Sequence, residues 1–204
     1  MPRPSSVIAD DVASRARGLD LFLQRIERLH RERKLSKGDV ERAYSGGFLE
    51  FYAFAERSLE RLFLGLLRGR FTSTHAGVRS LITVNSDAVA YAIVTGDRSY
   101  ADWLPYGRYT AKRAGAYFSA GRPFSVLDKI DVGAFERAGL IRNALAHQSG
   151  SANRLFEEKM ITGKSLPPDQ RRPTAYLRGV HTIGQTRMNF MLSDVAVTFR
   201  KLCG

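Results

Sequence analysis

Leu19, Phe22, Leu23, Ile26 and Leu29 recur every three or four positions, with Arg25, Glu27, Arg28 and Arg31 set between them. That spacing puts the apolar side chains on one stripe and predicts a helix from about 6 to 34. Ser36-Lys37-Gly38-Asp39 interrupts the pattern, and either Ser36 or Asp39 can cap the helix that follows. This second helix is expected from about 39 to 68. It starts polar and turns apolar through Phe48, Leu49, Phe51, Tyr52, Phe54, Ala55, Leu59, Leu62, Phe63 and Leu66. So many large side chains on one helix imply burial on more than one side, as at the centre of a bundle.

The stretch from 69 to 100 is mixed. Residues 78–84 and 88–94 lean towards strand, yet Ser86-Asp87 equally caps a helix through Ala92, and both assignments stay open. Trp103-Leu104-Pro105-Tyr106 is an aromatic turn leading into a short helix over 109–119, which Gly121-Arg122-Pro123-Phe124 breaks. A further helix is expected over 132–147, continuing towards Met160 after an interruption at Ser149-Gly150-Ser151. Residues 163–173, with Pro167-Pro168, form an exposed loop, and a last helix spans 185–202. There is no internal repeat. The expected fold is mostly all-α: one helical domain over 1–204, with a core at about 36–160 that contains an irregular insertion. An N-terminal helix precedes that core, and an additional C-terminal loop and helix (163–204) follow it.

Charge changes the picture. Lys and Arg number 32 against 20 Asp and Glu, a formal net charge of +12 in 204 residues. Such an excess attracts polyanions through counterion release, so nucleic acid or an acidic membrane surface is a natural partner; solubility alone is the competing explanation. The single cysteine, Cys203, can form neither an internal disulfide nor a Cys-based metal site. The opening residues contain no apolar signal core and no apolar run is long enough for a membrane span, so a cytoplasmic protein is expected.

Chemistry concentrates around one pattern. Arg followed five positions later by His occurs as Arg25 to His30, Arg70 to His75 and Arg142 to His147. Chance alone predicts about half a match in a chain this rich in arginine, so the bare pattern means little. Only Arg142 is followed by a polar amide, Asn143, within a plausible helix; adding that requirement lowers the chance expectation to about one in a hundred. Arg142-Asn143-Ala144-Leu145-Ala146-His147 resembles the signature of the HEPN superfamily, in which Arg and commonly a polar residue precede a His by four to six positions. The resemblance covers about residues 36–160. It implies an up-and-down helical bundle, frequent dimerisation, and in many members a metal-independent RNase of toxin–antitoxin, CRISPR-associated or antiviral systems. It implies no cofactor and no metal ligand. Glu56, among Phe51, Phe54, Leu59 and Leu62, matches the place where some members carry an acidic residue; pairing with Arg57 or Arg61 is its bland alternative.

These residue types suit RNA cleavage. Histidine, with an ordinary pKa of about 6.5, offers both protonation states near neutrality, so His147 can exchange protons with the 2′-hydroxyl and the leaving 5′-oxygen. Arg142 stays charged and presents a fork of donors to phosphate, while Asn143 can orient imidazole or phosphate. Asn143 and His147, four apart, should be neighbours, whereas Arg142 and His147 lie about 140° apart around a helix and do not point together. Pairing two copies would unite them. Gly139, Asn143, Ala146 and Gly150 form a stripe of small side chains that admits a second copy, giving a homodimer, while Phe135, Ala138, Ile141 and Leu145 face the core. Ser149 and Ser151 can contact phosphate or cap a turn. Trp103, Tyr106 and Tyr109 can stack bases, though aromatics around a proline more often anchor a core. His75 and His181 have no partners at metal-ligand spacing. Three functions follow: an endoribonuclease leaving 2′,3′-cyclic phosphate ends; a non-catalytic HEPN-like RNA-binding or dimerisation module, beside a nucleotidyltransferase-type antitoxin partner; or a basic DNA-binding regulator.

Overall fold

Helical periodicity governs most of the chain. The computed structural model describes residues 1–147 and 149–204. In chain order the elements are β1 (Arg3–Pro4), α1 (Ser6–Arg31), α2 (Lys37–Leu67), β2 (Phe71–Thr72), α3 (Asp87–Thr95), α4 (Lys112–Tyr117), α5 (Lys129–Ala146), α6 (Gly150–Phe156), α7 (Pro173–Arg178), β3 (Val180–Thr182), β4 (Gln185–Thr186) and α8 (Arg187–Cys203). The fold is mostly all-α. Among the described residues, sheet is confined to two short pairs, β1 with β2 parallel and β3 with β4 antiparallel.

The chain divides into two compact units: residues 1–13, 54–136 and 195–204 in the first, and 14–53 with 137–194 in the second. Helices α1, α2, α5 and α8 each supply residues to both.

In the first unit an aromatic cluster forms the core. Phe63 is fully buried, and the rings of Trp103, Phe118 and Phe124 lie 5.0, 5.0 and 5.1 Å from it. Tyr106 stacks on Phe135 at 5.2 Å and donates its hydroxyl to the Phe124 carbonyl at 2.8 Å. Trp103 Nε1 donates to Glu60 at 2.8 Å, which satisfies the polar edge of a buried indole. Trp103 and Tyr106 are therefore core anchors, closed to a stacking base. The mixed stretch resolves in favour of helix: Ser86 Oγ accepts from Val89 N and caps α3, and Asp87 opens its first turn. The residues before it are irregular, with one isolated bridge between Ser80 and Phe118. The short helix expected over 109–119 begins as a π-helical turn, Gly107–Ala111, before α4. Gly65 lies under the ring of Phe71, an approach that a Cβ would block. Burial pushes the Cys203 thiol up to about 12, so it is a protonated core side chain at neutral pH.

In the second unit, α2 starts with a reciprocal cap. Ser36 Oγ accepts from Asp39 N at 3.2 Å, and Asp39 Oδ2 accepts from Ser36 N at 3.0 Å, so both residues cap the helix together. Along α2, Val40, Tyr44, Phe48, Phe51 and Tyr52 are buried at a spacing of three to four, a single stripe rather than several faces. Burial widens only in the last turns, which belong to the first unit, where Leu62, Phe63, Leu66 and Leu67 are all enclosed. Gly47 admits Leu19 of α1: a Cβ there would sit 2.6 Å from Leu19 Cδ1. Glu27 and Arg178, 151 residues apart, form a bidentate pair at 2.7 and 2.9 Å. Burial alone would push the Glu27 carboxyl up, but the Arg178 hydrogen bonds and charge, with the Tyr44 hydroxyl, outweigh it and hold the group below its ordinary range.

Candidate functional site: the Arg142–Asn143–His147 cluster

The cluster sits where α5 ends, in the second unit. Ala138, Ile141 and Ala144 are buried there, which leaves Arg142 half-buried and Asn143 and His147 exposed. Leu145, expected in the core, is only half-buried, and Ala144 takes the inward position. The His147 amide donates to the Asn143 carbonyl at 2.9 Å, closing the last turn one residue beyond the assigned end of the helix.

Arg142 joins the three. Its Nη1 donates to Asn143 Oδ1 at 3.0 Å and lies 3.0 Å from His147 Nε2. This corrects the angular argument that separated Arg142 from His147. Directions at Cβ diverge only within a continuous helix, whereas His147 stands past the helix end and the guanidinium is carried on a long, flexible stem. A guanidinium has only donors, so in this arrangement Nε2 is the acceptor and the imidazole proton resides on Nδ1.

The other histidines serve the scaffold. His30 Nδ1 lies 2.9 Å from the Leu35 carbonyl, just past the end of α1, and His75 Nε2 lies 2.8 Å from the Lys201 carbonyl. His181 stacks on Phe190 with ring centroids 4.1 Å apart. Of the three Arg-x4-His matches, Arg142 to His147 is the one whose side chains meet.

The auxiliary candidates have partners of their own. Ser149 is the N-cap of α6, with Oγ accepting from Ala152 N at 3.4 Å and 3.2 Å from Ser151 Oγ. Glu56 belongs to the first unit, where it accepts from the Trp103 backbone N–H at 3.5 Å. The stripe of small residues is uneven. A Cβ on Gly139 would sit 3.5 Å from Tyr52 Oη of the same chain, whereas Asn143, Ala146 and Gly150 are exposed.

Two features went unread in the sequence. One is the Glu27–Arg178 pair, with no local signal across 151 residues. The other is a groove of about 680 Å³ in the second unit, lined by Arg25, Arg28 and Arg31. Those arginines were visible as the polar face of α1, but not the opposite wall.

Among the described residues no helix is long and apolar enough to cross a membrane, and no three His, Cys, Asp or Glu side chains group as metal ligands. No family model, curated protein or solved structure matches the chain.

Proposed function

We propose that the chain is an endoribonuclease of HEPN type that cleaves RNA by internal attack of a 2′-hydroxyl, with Arg142, Asn143 and His147 as its working residues. The observation that carries this reading is the contact of one guanidinium with both the Asn143 amide oxygen and His147 Nε2, in an exposed cluster of a strongly basic chain.

The chemistry runs through those atoms. A scissile phosphate draws the Arg142 fork onto its two free oxygens, because a charge-assisted bond to an anion is stronger than one to a neutral imidazole. His147 Nε2 is thereby freed. It takes the proton of the 2′-hydroxyl, the 2′-oxygen bonds to phosphorus, and the P–O5′ bond breaks. The 5′-oxygen receives a proton from an imidazolium or water, leaving a 2′,3′-cyclic phosphate and a 5′-hydroxyl. In a two-fold pair through the exposed part of the Asn143, Ala146 and Gly150 stripe, His147 of a second copy is that acid.

Incubation of total RNA with the purified protein in EDTA, beside the His147→Ala variant, tests the reading. Wild-type cleavage with cyclic-phosphate ends, reduced about 10²- to 10⁴-fold in the variant, is expected. Arg142→Lys should also lose most activity, since a point charge replaces the fork. Equal cleavage by wild type and His147→Ala, or none by either, overturns the assignment.

A further inference from the structure

We infer that the groove along α1 in the second unit is a second RNA-contacting surface, in which Arg25, Arg28 and Arg31 grip the phosphodiester backbone of a single strand. This rests on the reading that RNA is the partner, but it concerns binding and needs no catalysis.

The groove encloses about 680 Å³. Its two carboxylates are already engaged. Glu27 is held by Arg178 at 2.7 and 2.9 Å, and Asp20 accepts from Asn189 Nδ2 at 2.5 Å and Gln24 Nε2 at 2.9 Å. The three arginines are different. All are exposed, and none has an ion pair or side-chain hydrogen bond among the described residues. Arg178 matches the charge of Glu27, whereas Asp20 is held only by neutral amides. Three arginines therefore share the groove with one carboxylate that has no ion pair among the described residues, and an anion entering the groove relieves the remaining excess of positive charge.

Their spacing indicates the kind of anion. At i, i+3 and i+6 on a helix they rise by about 4.5 Å and turn by about 60° per step, a spread that long, flexible side chains span, since all three line the one groove. A ladder of forks suits the repeated charges of a chain better than one small anion, which two forks would saturate. The opposite wall, with Gly184 and Thr186 from β3–β4 and its turn, leaves the groove open rather than closed around a small ligand. Such a surface grips the backbone without reading sequence.

The test is the affinity of a fluorescent twelve-nucleotide uridine strand, titrated at several salt concentrations in a His147→Ala background. The variants are Arg25→Ala/Arg28→Ala/Arg31→Ala, the matching triple Lys variant, and a control removing Arg57, Arg98 and Arg108, exposed arginines of the first unit. The triple Ala variant should bind at least about tenfold more weakly, with the slope of log K against log salt reduced by about 2, at roughly 0.7 per lost phosphate contact. Triple Lys should restore most of the slope, and the control should lose little. An unchanged slope, or equal loss in the control, overturns the groove. Retained RNA affinity with lost binding to phosphatidylserine vesicles also overturns it, assigning the surface to a membrane. Cleavage of the dinucleotide UpA, too short to fill the groove, separates the two readings: it should survive the triple Ala change when His147 is intact. If wild type binds the strand through the groove but never cleaves, the nuclease assignment falls and the groove stands.

Discussion

The two units use their polar atoms differently. In the first, the indole of Trp103 and the hydroxyl of Tyr106 are each consumed by a partner inside an aromatic cluster centred on Phe63. In the second, a charged pair, Glu27 with Arg178, is built into the scaffold, and the Arg142 cluster and the arginine-lined groove remain open to solvent. Aromatic packing gives a close-fitted interior in which the polar atoms of Trp103 and Tyr106 are already bonded. Exposed guanidinium and imidazole groups add little to stability and stay available to a ligand. The residues on which the proposed function rests therefore all lie in the second unit.

The sharpest way to break that contrast is to empty the aromatic cluster. Phe63→Ala should destabilise the protein by about 3–5 kcal/mol, read from the urea midpoint, because a fully buried ring leaves a cavity among neighbours about 5 Å away. A loss below about 1 kcal/mol would mean that the cluster does not dominate the first unit.

Removing Arg178 probes the charged scaffold. Arg178→Ala should cost about 1–3 kcal/mol at neutral pH, since the Glu27 carboxylate keeps its burial and loses its partner. The same pair sets an acid response. Glu27 is held below its ordinary value, so its contribution is complete above that value and disappears as pH falls through the lowered one. Thermal melts from about pH 7 to about pH 3 should show wild type losing more stability than Glu27→Gln. Parallel curves would remove Glu27 from the acid response.

The smallest effect separates the cap from the site. Ser149→Ala should cost about 1 kcal/mol, and Ser149→Asp should restore it, because either oxygen accepts from the Ala152 amide. RNA cleavage should be the same in Ser149→Ala as in wild type; a large drop would return Ser149 to the site as a phosphate contact.

Much of this could be read from local pattern. The helix from 6, the cap at Ser36–Asp39 and the break at Ser149 were legible because each depends on residues a few positions apart, whereas at Ser86 strand and helix stayed open until the structure showed the cap. Arg142, Asn143 and His147 were set apart from two decoys by the adjacent amide together with the helical context. The breadth of burial around α2 was overestimated, since a count of large side chains does not say which element covers them. Leu145 and Ala144 exchanged roles for the same reason: both lie near the edge of the apolar stripe, and the neighbouring surface decides between them.

By itself, then, the amino-acid order determined a helical, strongly basic chain and one short segment with the residue types for phosphodiester chemistry. Periodicity, capping and composition are properties of near neighbours. The tertiary structure decided which groups meet: Arg142 with His147 beyond a helix end, Glu27 with Arg178 across 151 residues, and an arginine ladder facing a hairpin to form a groove. Those depend on where helices stop and what packs beside them, which no local spacing encodes.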